Sequence, residues 1–256
     1  MAWFQRNGHD IAYEVYGTGT PVVLLHGVTV SFAGNFGSRG WVERLTKLGY
    51  QVIGLDFLGH GKSAKPRDPA AYGTENLRSD VLALIDHLDC GTASLIGYSL
   101  GSVIALDLLH HAPHRFGPSV LIATGDGLLG HPPFDTTSVF SRLSTAVARE
   151  RFPEDLPSHE SAYWTFAENI GGDRLAALAA IQAQYPPCDA RRAGSITAPV
   201  LVLSGELDPV LGRGPRLAQA IPQGSYVEIP GADHFALCRI ESALAEVERF
   251  LKAHKG

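Results

Sequence analysis

ASLIGYSLGSVIALDLLHHA, residues 93–112, decides the fold. From Ala93 to Tyr98 it is a short apolar run without strict alternation, as expected of a strand buried on both faces. From Ser102 to Ala112 it reads as a buried helix. Between them, Gly97-Tyr98-Ser99-Leu100-Gly101 sets a serine on a tight strand-to-helix turn. Small residues two positions to either side leave room for the sharp backbone path, and a serine there projects its hydroxyl from the edge of a sheet.

The same alternation extends in both directions. PVVLLHG from Pro21, YQVIGLD from Tyr50, SVLIATG from Ser119, PVLVLSGE from Pro199 and SYVEIPG from Ser225 are further apolar runs bounded by Gly, Pro or Asp. Helical periodicity fills the gaps, most clearly in TENLRSDVLALIDHL, where Leu77, Val81, Leu84, Ile85 and Leu88 form one stripe and Thr74 is the expected cap. Strands that alternate with helices predict a parallel sheet, and right-handed crossovers put helices on both of its faces. The expected class is α/β, a doubly wound and mostly parallel sheet. Residues 2–16 predict an N-terminal β-hairpin about Asn7-Gly8, a dipeptide that tolerates positive φ at both turn centres.

One stretch departs from this rhythm. From Gly127 to Gly194 there is no strong strand signal, and Pro132, Pro133, Pro153, Pro157, Pro186 and Pro187 punctuate helical segments. The expected organisation is a core of residues 1–126 and 195–256 with a helical insertion over 127–194. Phe134, Phe140, Trp164 and Phe166, together with Phe152, Tyr163 and Tyr185, either line a substrate pocket or fasten the insertion to the core, since aromatic side chains bury large area wherever they pack.

Bulk properties narrow the function. At 256 residues with 45% hydrophobic and 18% charged residues, the chain can bury roughly three quarters of its unfolded surface in one core. A formal charge of −5 with scattered Lys and Arg offers no footprint for nucleic acid. Neither a leader segment nor an apolar run of membrane-spanning length is apparent, so the cytoplasm is the expected compartment. Cys90, Cys188 and Cys238 lack a CxxC spacing and predict reduced, buried thiols.

A serine hydroxyl is a weak nucleophile, so Ser99 needs a base to take its proton and return it to the leaving group. Among eleven histidines, His234 stands out: Gly231-Ala232-Asp233-His234-Phe235 follows the last apolar run and precedes the final helix. The imidazole needs an acceptor that fixes its tautomer. Asp208, just beyond the run from Pro199, is the first choice; Asp126, after SVLIATG, is the alternative acid, and Glu206 a third. An oxyanion would take two backbone N–H groups, from Leu100 at the start of a helix and from Val28 after His26-Gly27, although His26-Gly27 also reads as a plain structural turn. His110 and His114 have a helical ligand spacing, but Pro113 intervenes and no carboxylate or cysteine completes a set, so no metal and no cofactor is expected.

HGV at His26, DFLGHGKS from Asp56, GYSLG from Gly97, GELD from Gly205 and GADHF from Gly231, in this order, resemble the α/β-hydrolase superfamily across nearly the whole chain. The resemblance implies a serine hydrolase with the chain order Ser99, Asp208, His234, an oxyanion hole at Val28 and Leu100, and a cap over 127–194. It points to a small-molecule carboxylic ester, lactone or thioester. Two departures stand out. Leu58 occupies the place where Arg commonly precedes the Gly of the Asp56 turn, here read as structural. VTVSFAG after His26-Gly27 lacks the Gly- and Pro-rich continuation of carbon-carbon bond hydrolases. Two other readings of the same residues are lyase-type or carbon-carbon cleavage, and a ligand-binding signalling protein that keeps the triad.

Overall fold

The computed structural model describes residues 1–37, 40–131 and 173–255. Eight strands form one sheet: β1 (Ala2–Arg6), β2 (His9–Tyr16), β3 (Thr20–Leu25), β4 (Tyr50–Leu55), β5 (Ser94–Tyr98), β6 (Ser119–Ile122), β7 (Val200–Gly205) and β8 (Gly224–Ile229). Their order is β1-β2-β4-β3-β5-β6-β7-β8. The pairings of β1 with β2 and of β2 with β4 are antiparallel, and every other pairing is parallel. The predicted hairpin is present, with Asn7 and Gly8 at φ 50° and 79°, the two positive angles that its two-residue turn requires.

The helices among the described residues are α1 (Phe32–Asn35), α2 (Trp41–Lys47), α3 (Thr74–His87), α4 (Leu100–His111), α5 (Arg174–Gln182), α6 (Ala190–Gly194), α7 (Pro215–Ala220) and α8 (Glu241–Ala253). They lie on both faces of the sheet because its strands are apolar on both. Along β3, Val23 and Leu25 pack with Leu77, Val81 and Leu84 of α3 and Ile104 and Leu108 of α4. Val22 and Leu24 point the other way, to Trp41 and Leu45 of α2 and Leu244, Val247 and Leu251 of α8. Period-two alternation on a strand, met by the helical stripes on either side, thus builds three layers. Each such side chain contributes about 1.5–3 kcal/mol on burial.

The predicted cap of α3 is not formed. Gly73, with φ 91°, is the N-cap, and Thr74 opens the helix. The Thr74 N–H donates to Gln184 O at 3.2 Å, while its buried hydroxyl has no partner among the described residues. A distant carbonyl thus satisfies the first free amide of the helix, a contact that no single-helix signal records.

Residues 132–172 of the predicted insertion, with Phe134, Phe140, Phe152, Tyr163, Trp164 and Phe166, lie outside the described residues. Its return to the core is described: Asp173 caps α5 by accepting from Leu175 N and Ala176 N, and Asp189 caps α6 by accepting from Arg192 N. Tyr185, between them, donates to Ala180 O at 3.0 Å within the segment, and its ring is buried in one cluster with Leu77, Val103 and Leu106, so it fastens the segment to the core. The three cysteines are free and buried, with burial raising each thiol above its ordinary value. No helix among the described residues is long and apolar enough to cross a membrane.

Candidate active site

β3 lies between β4 and β5, so the chain order reverses there, and loops at the carboxyl ends of the parallel strands converge beside the reversal. Ser99 follows β5, Asp126 follows β6, Asp208 follows β7 and His234 follows β8. Ser99 sits at φ 53° and ψ −113°, a conformation that a non-glycine residue rarely holds. The surrounding glycines make the turn feasible. A Cβ on Gly101 would stand 1.9 Å from Leu25 O, and one on Gly97 would stand 2.4 Å from Gly101 O. Ser99 N donates to Ile122 O at 2.9 Å, and Ser102 Oγ lies 2.8 Å from the same carbonyl, tying the turn to the end of β6.

His234 Nε2 lies 3.0 Å from Ser99 Oγ, and His234 Nδ1 lies 2.8 Å from Asp208 Oδ2. The His234 and Asp208 side chains are 3% and 0% exposed, so solvent does not compete for these bonds. The ring proton sits on Nδ1, which donates it to the carboxylate, and this leaves the Nε2 lone pair facing the serine hydroxyl. Burial works to raise the Asp208 carboxyl. The charge and hydrogen bond of His234, with the N–H groups of Val210 and Leu211, outweigh it and hold the carboxyl below its ordinary value. The tyrosine hydroxyl of Tyr98 donates to His234 O and pins the loop that carries the imidazole.

The alternative acids are engaged elsewhere. Asp126 Oδ1 accepts Leu217 N at 2.8 Å in the first turn of α7, and Glu206 Oε2 accepts Gly231 N at 2.8 Å. Asp56, at the start of the predicted turn, accepts Phe32 N on one oxygen and Lys62 N on the other, each at 2.8 Å. It holds two loops together, and Leu58 beside it is buried in the core.

His26 is structural in its own right. Its Nε2 accepts Phe57 N at 2.9 Å, so its proton is on Nδ1, which donates to Gly27 O at 2.7 Å. Burial lowers its pKa and keeps the ring neutral. Val28 follows, and Val28 and Ser99 line one cavity. Thr29 then adopts φ 62°, an unusual angle for a β-branched residue. Neither Val28 N nor Leu100 N bonds to a backbone acceptor among the described residues.

Asn35 carries a role that the sequence reading missed. Buried on α1, it accepts Gly27 N on Oδ1 at 2.8 Å, and its Nδ2 lies 3.7 Å from Cys238 Sγ. It therefore braces the His26–Val28 loop against the segment that follows His234. FAGN, residues 32–35, has no motif that could have revealed this.

The sequence model of the alpha/beta hydrolase fold family matches residues 20–162. The chain belongs to the α/β-hydrolase fold family. Among curated relatives, it is 31% identical over 128 residues to a haloperoxidase-named protein of Mycobacterium phage D29, covering 49% of this chain but only 43% of that one. It is 29% identical to the Mycobacterium tuberculosis protein named "Putative non-heme bromoperoxidase BpoC", covering 88% of this chain and 90% of that one. Among solved structures, an enol-lactonase from Burkholderia xenovorans superposes with a TM-score of 0.76 at 25% identity, over 98% of this chain and 100% of that one.

Proposed function

We propose that this α/β hydrolase is a serine hydrolase that cleaves a small-molecule carboxylic ester, with lactones and thioesters in the same class, through an acyl-enzyme on Ser99. The observation that carries the proposal is the buried hydrogen-bonded series from Ser99 Oγ through His234 to Asp208. His234 Nε2 takes the Oγ proton as Oγ attacks the carbonyl, and Asp208 holds the imidazolium that forms. The oxyanion receives the N–H groups of Leu100 and Val28. Collapse expels the alcohol with the proton from His234. A water that gives its proton to the same nitrogen then attacks the acyl carbonyl and frees Ser99. The insertion over 127–194 acts in this reading as a cap over the site, with Phe134, Phe140, Trp164 and Phe166 as its pocket residues.

A second reading draws on the bromoperoxidase-named relative. Hydrogen peroxide in place of water would release a peroxycarboxylic acid, a halide oxidant, from the same acyl-enzyme. Both readings need an activated serine, and one experiment tests it. A fluorophosphonate probe should label Ser99, as located by mass spectrometry, and labelling should collapse in Ser99→Ala and His234→Ala. Burst release of alcohol from an ester panel should accompany it. A folded protein that remains unlabelled would remove the hydrolase reading and favour ligand binding or lyase-type chemistry.

A further inference from the structure

Ten described residues line the cavity beside Ser99, and one of them carries a permanent charge: Arg239. It ends a short 3-10 turn, Leu237–Arg239, five residues beyond the base. Arginines elsewhere in the described chain are mostly matched to a carboxylate, as Arg44 is to Glu241, Arg78 and Arg192 to Asp107, and Arg213 to Glu228. Three described guanidinium groups, those of Arg191, Arg216 and Arg239, form no ion pair among the described residues.

Of those three, Arg239 alone faces the cavity of Ser99. The acids nearest to it in sequence are engaged: Asp233 Oδ1 accepts from Phe235 N and Ala236 N, and Glu241 pairs with Arg44 at 2.6 Å. The Arg239 charge is felt at the wall of the cavity, where it lowers the Cys238 thiol against the larger opposing effect of burial. Arg239 is itself exposed, so it keeps its hydration and presents five N–H donors in a planar fork without the cost of a buried, unpaired charge. The rest of the wall, with Val28, Val30, Tyr98 and Phe235, suits an apolar chain.

We infer that Arg239 is a specificity-determining residue: it pairs with a carboxylate on the substrate, so that the substrate class is an ester or lactone with an apolar body and a free carboxylate. This inference rests on the serine-hydrolase reading and adds the charge of the substrate to it. A carboxylate that meets a guanidinium fork forms a charge-assisted, bidentate pair, and such a hydrogen bond corresponds to roughly 10- to 100-fold in kcat/KM. The preference weakens as salt rises, because the pair stands at the mouth of the site.

The test compares matched esters: mono-p-nitrophenyl adipate against p-nitrophenyl hexanoate, with the carboxylate on the acyl chain, and the hexanoate ester of 4-hydroxybenzoate against phenyl hexanoate, with the carboxylate on the alcohol. The readout is the ratio of kcat/KM, anionic to neutral, together with fluorophosphonate labelling of Ser99. The wild type should favour the anionic member of at least one pair. Arg239→Gln should lower that ratio ~10- to 100-fold, Arg239→Lys should restore part of it, and Arg216→Gln should leave it unchanged. A wild type that labels at Ser99 but has no anionic preference, or an Arg239→Gln ratio equal to that of wild type, overturns the inference and leaves the hydrolase reading standing. A wild type that does not label at Ser99 overturns both.

Discussion

Asp208 is bonded on both of its oxygens: Oδ2 lies 2.8 Å from His234 Nδ1, while Oδ1 accepts Val210 N at 2.8 Å and Leu211 N at 3.2 Å. The carboxylate is therefore fixed by its own loop before it orients the imidazole. Asn at this position keeps an oxygen for the loop amides but offers N–H where His234 needs an acceptor, which favours the wrong tautomer. Asp208→Asn is expected to lower kcat by about 10⁴-fold with little change in KM. An ester assay on a variant with wild-type circular dichroism checks this. A loss below tenfold would mean that another acid orients His234.

Asn35 makes a separable prediction, because it touches the loop and not the reacting atoms. Asn35→Leu conserves volume but leaves Gly27 N buried without its acceptor, at a cost of about 1–3 kcal/mol. The Val28 N–H is carried by the same loop, so kcat should fall ~10- to 100-fold while KM changes less than threefold. A variant that loses thermal stability yet keeps wild-type kcat would limit Asn35 to a structural role.

Asp80 on α3 faces Arg6 of β1 at 3.8 Å. Burial pushes its carboxyl up from 3.8 to about 7, with Arg6 opposing. Between those values the unfolded chain gives up a proton that the folded chain keeps, so this group lowers stability as pH rises from about 4 to about 7. His60 acts in the opposite sense. Burial lowers it from 6.5 to about 3, so the unfolded chain takes up a proton that the folded chain refuses, and stability is lost as pH falls below 6.5. Asp80→Asn removes the first effect alone. Urea denaturation should find the variant equal to wild type near pH 4 and more stable at pH 8 by about 4 kcal/mol, the equivalent of three pKa units. Equal stabilities at pH 8 would show that Asp80 ionises without cost.

Much of this site was legible in the sequence because its chemistry sits at strand ends. GYSLG lies between a strand and a helix, and GELD and GADHF each follow a strand, so the order of runs along the chain already directed three side chains toward one sheet edge. The α3 cap was misread for the converse reason. A Thr before an apolar stripe looks like a local cap, but Gly73 turns the chain and Gln184, more than a hundred residues away, accepts the first amide.

What the sequence by itself determined is the alternation of buried strands with amphipathic helices, the turn that presents Ser99, and the types of group that could serve it. Those features depend on periodicity of two or 3.6 residues and on which residues tolerate a sharp backbone, and both are local. The tertiary structure decided which acid faces His234, since Asp126 and Asp208 follow neighbouring strands and only their loops differ: one caps α7 and the other reaches the imidazole. It also decided that Asn35 braces Gly27 and that Arg239 borders the cavity of Ser99. These are contacts between segments far apart in the chain, set by how the helices pack on the sheet, and no local period encodes them.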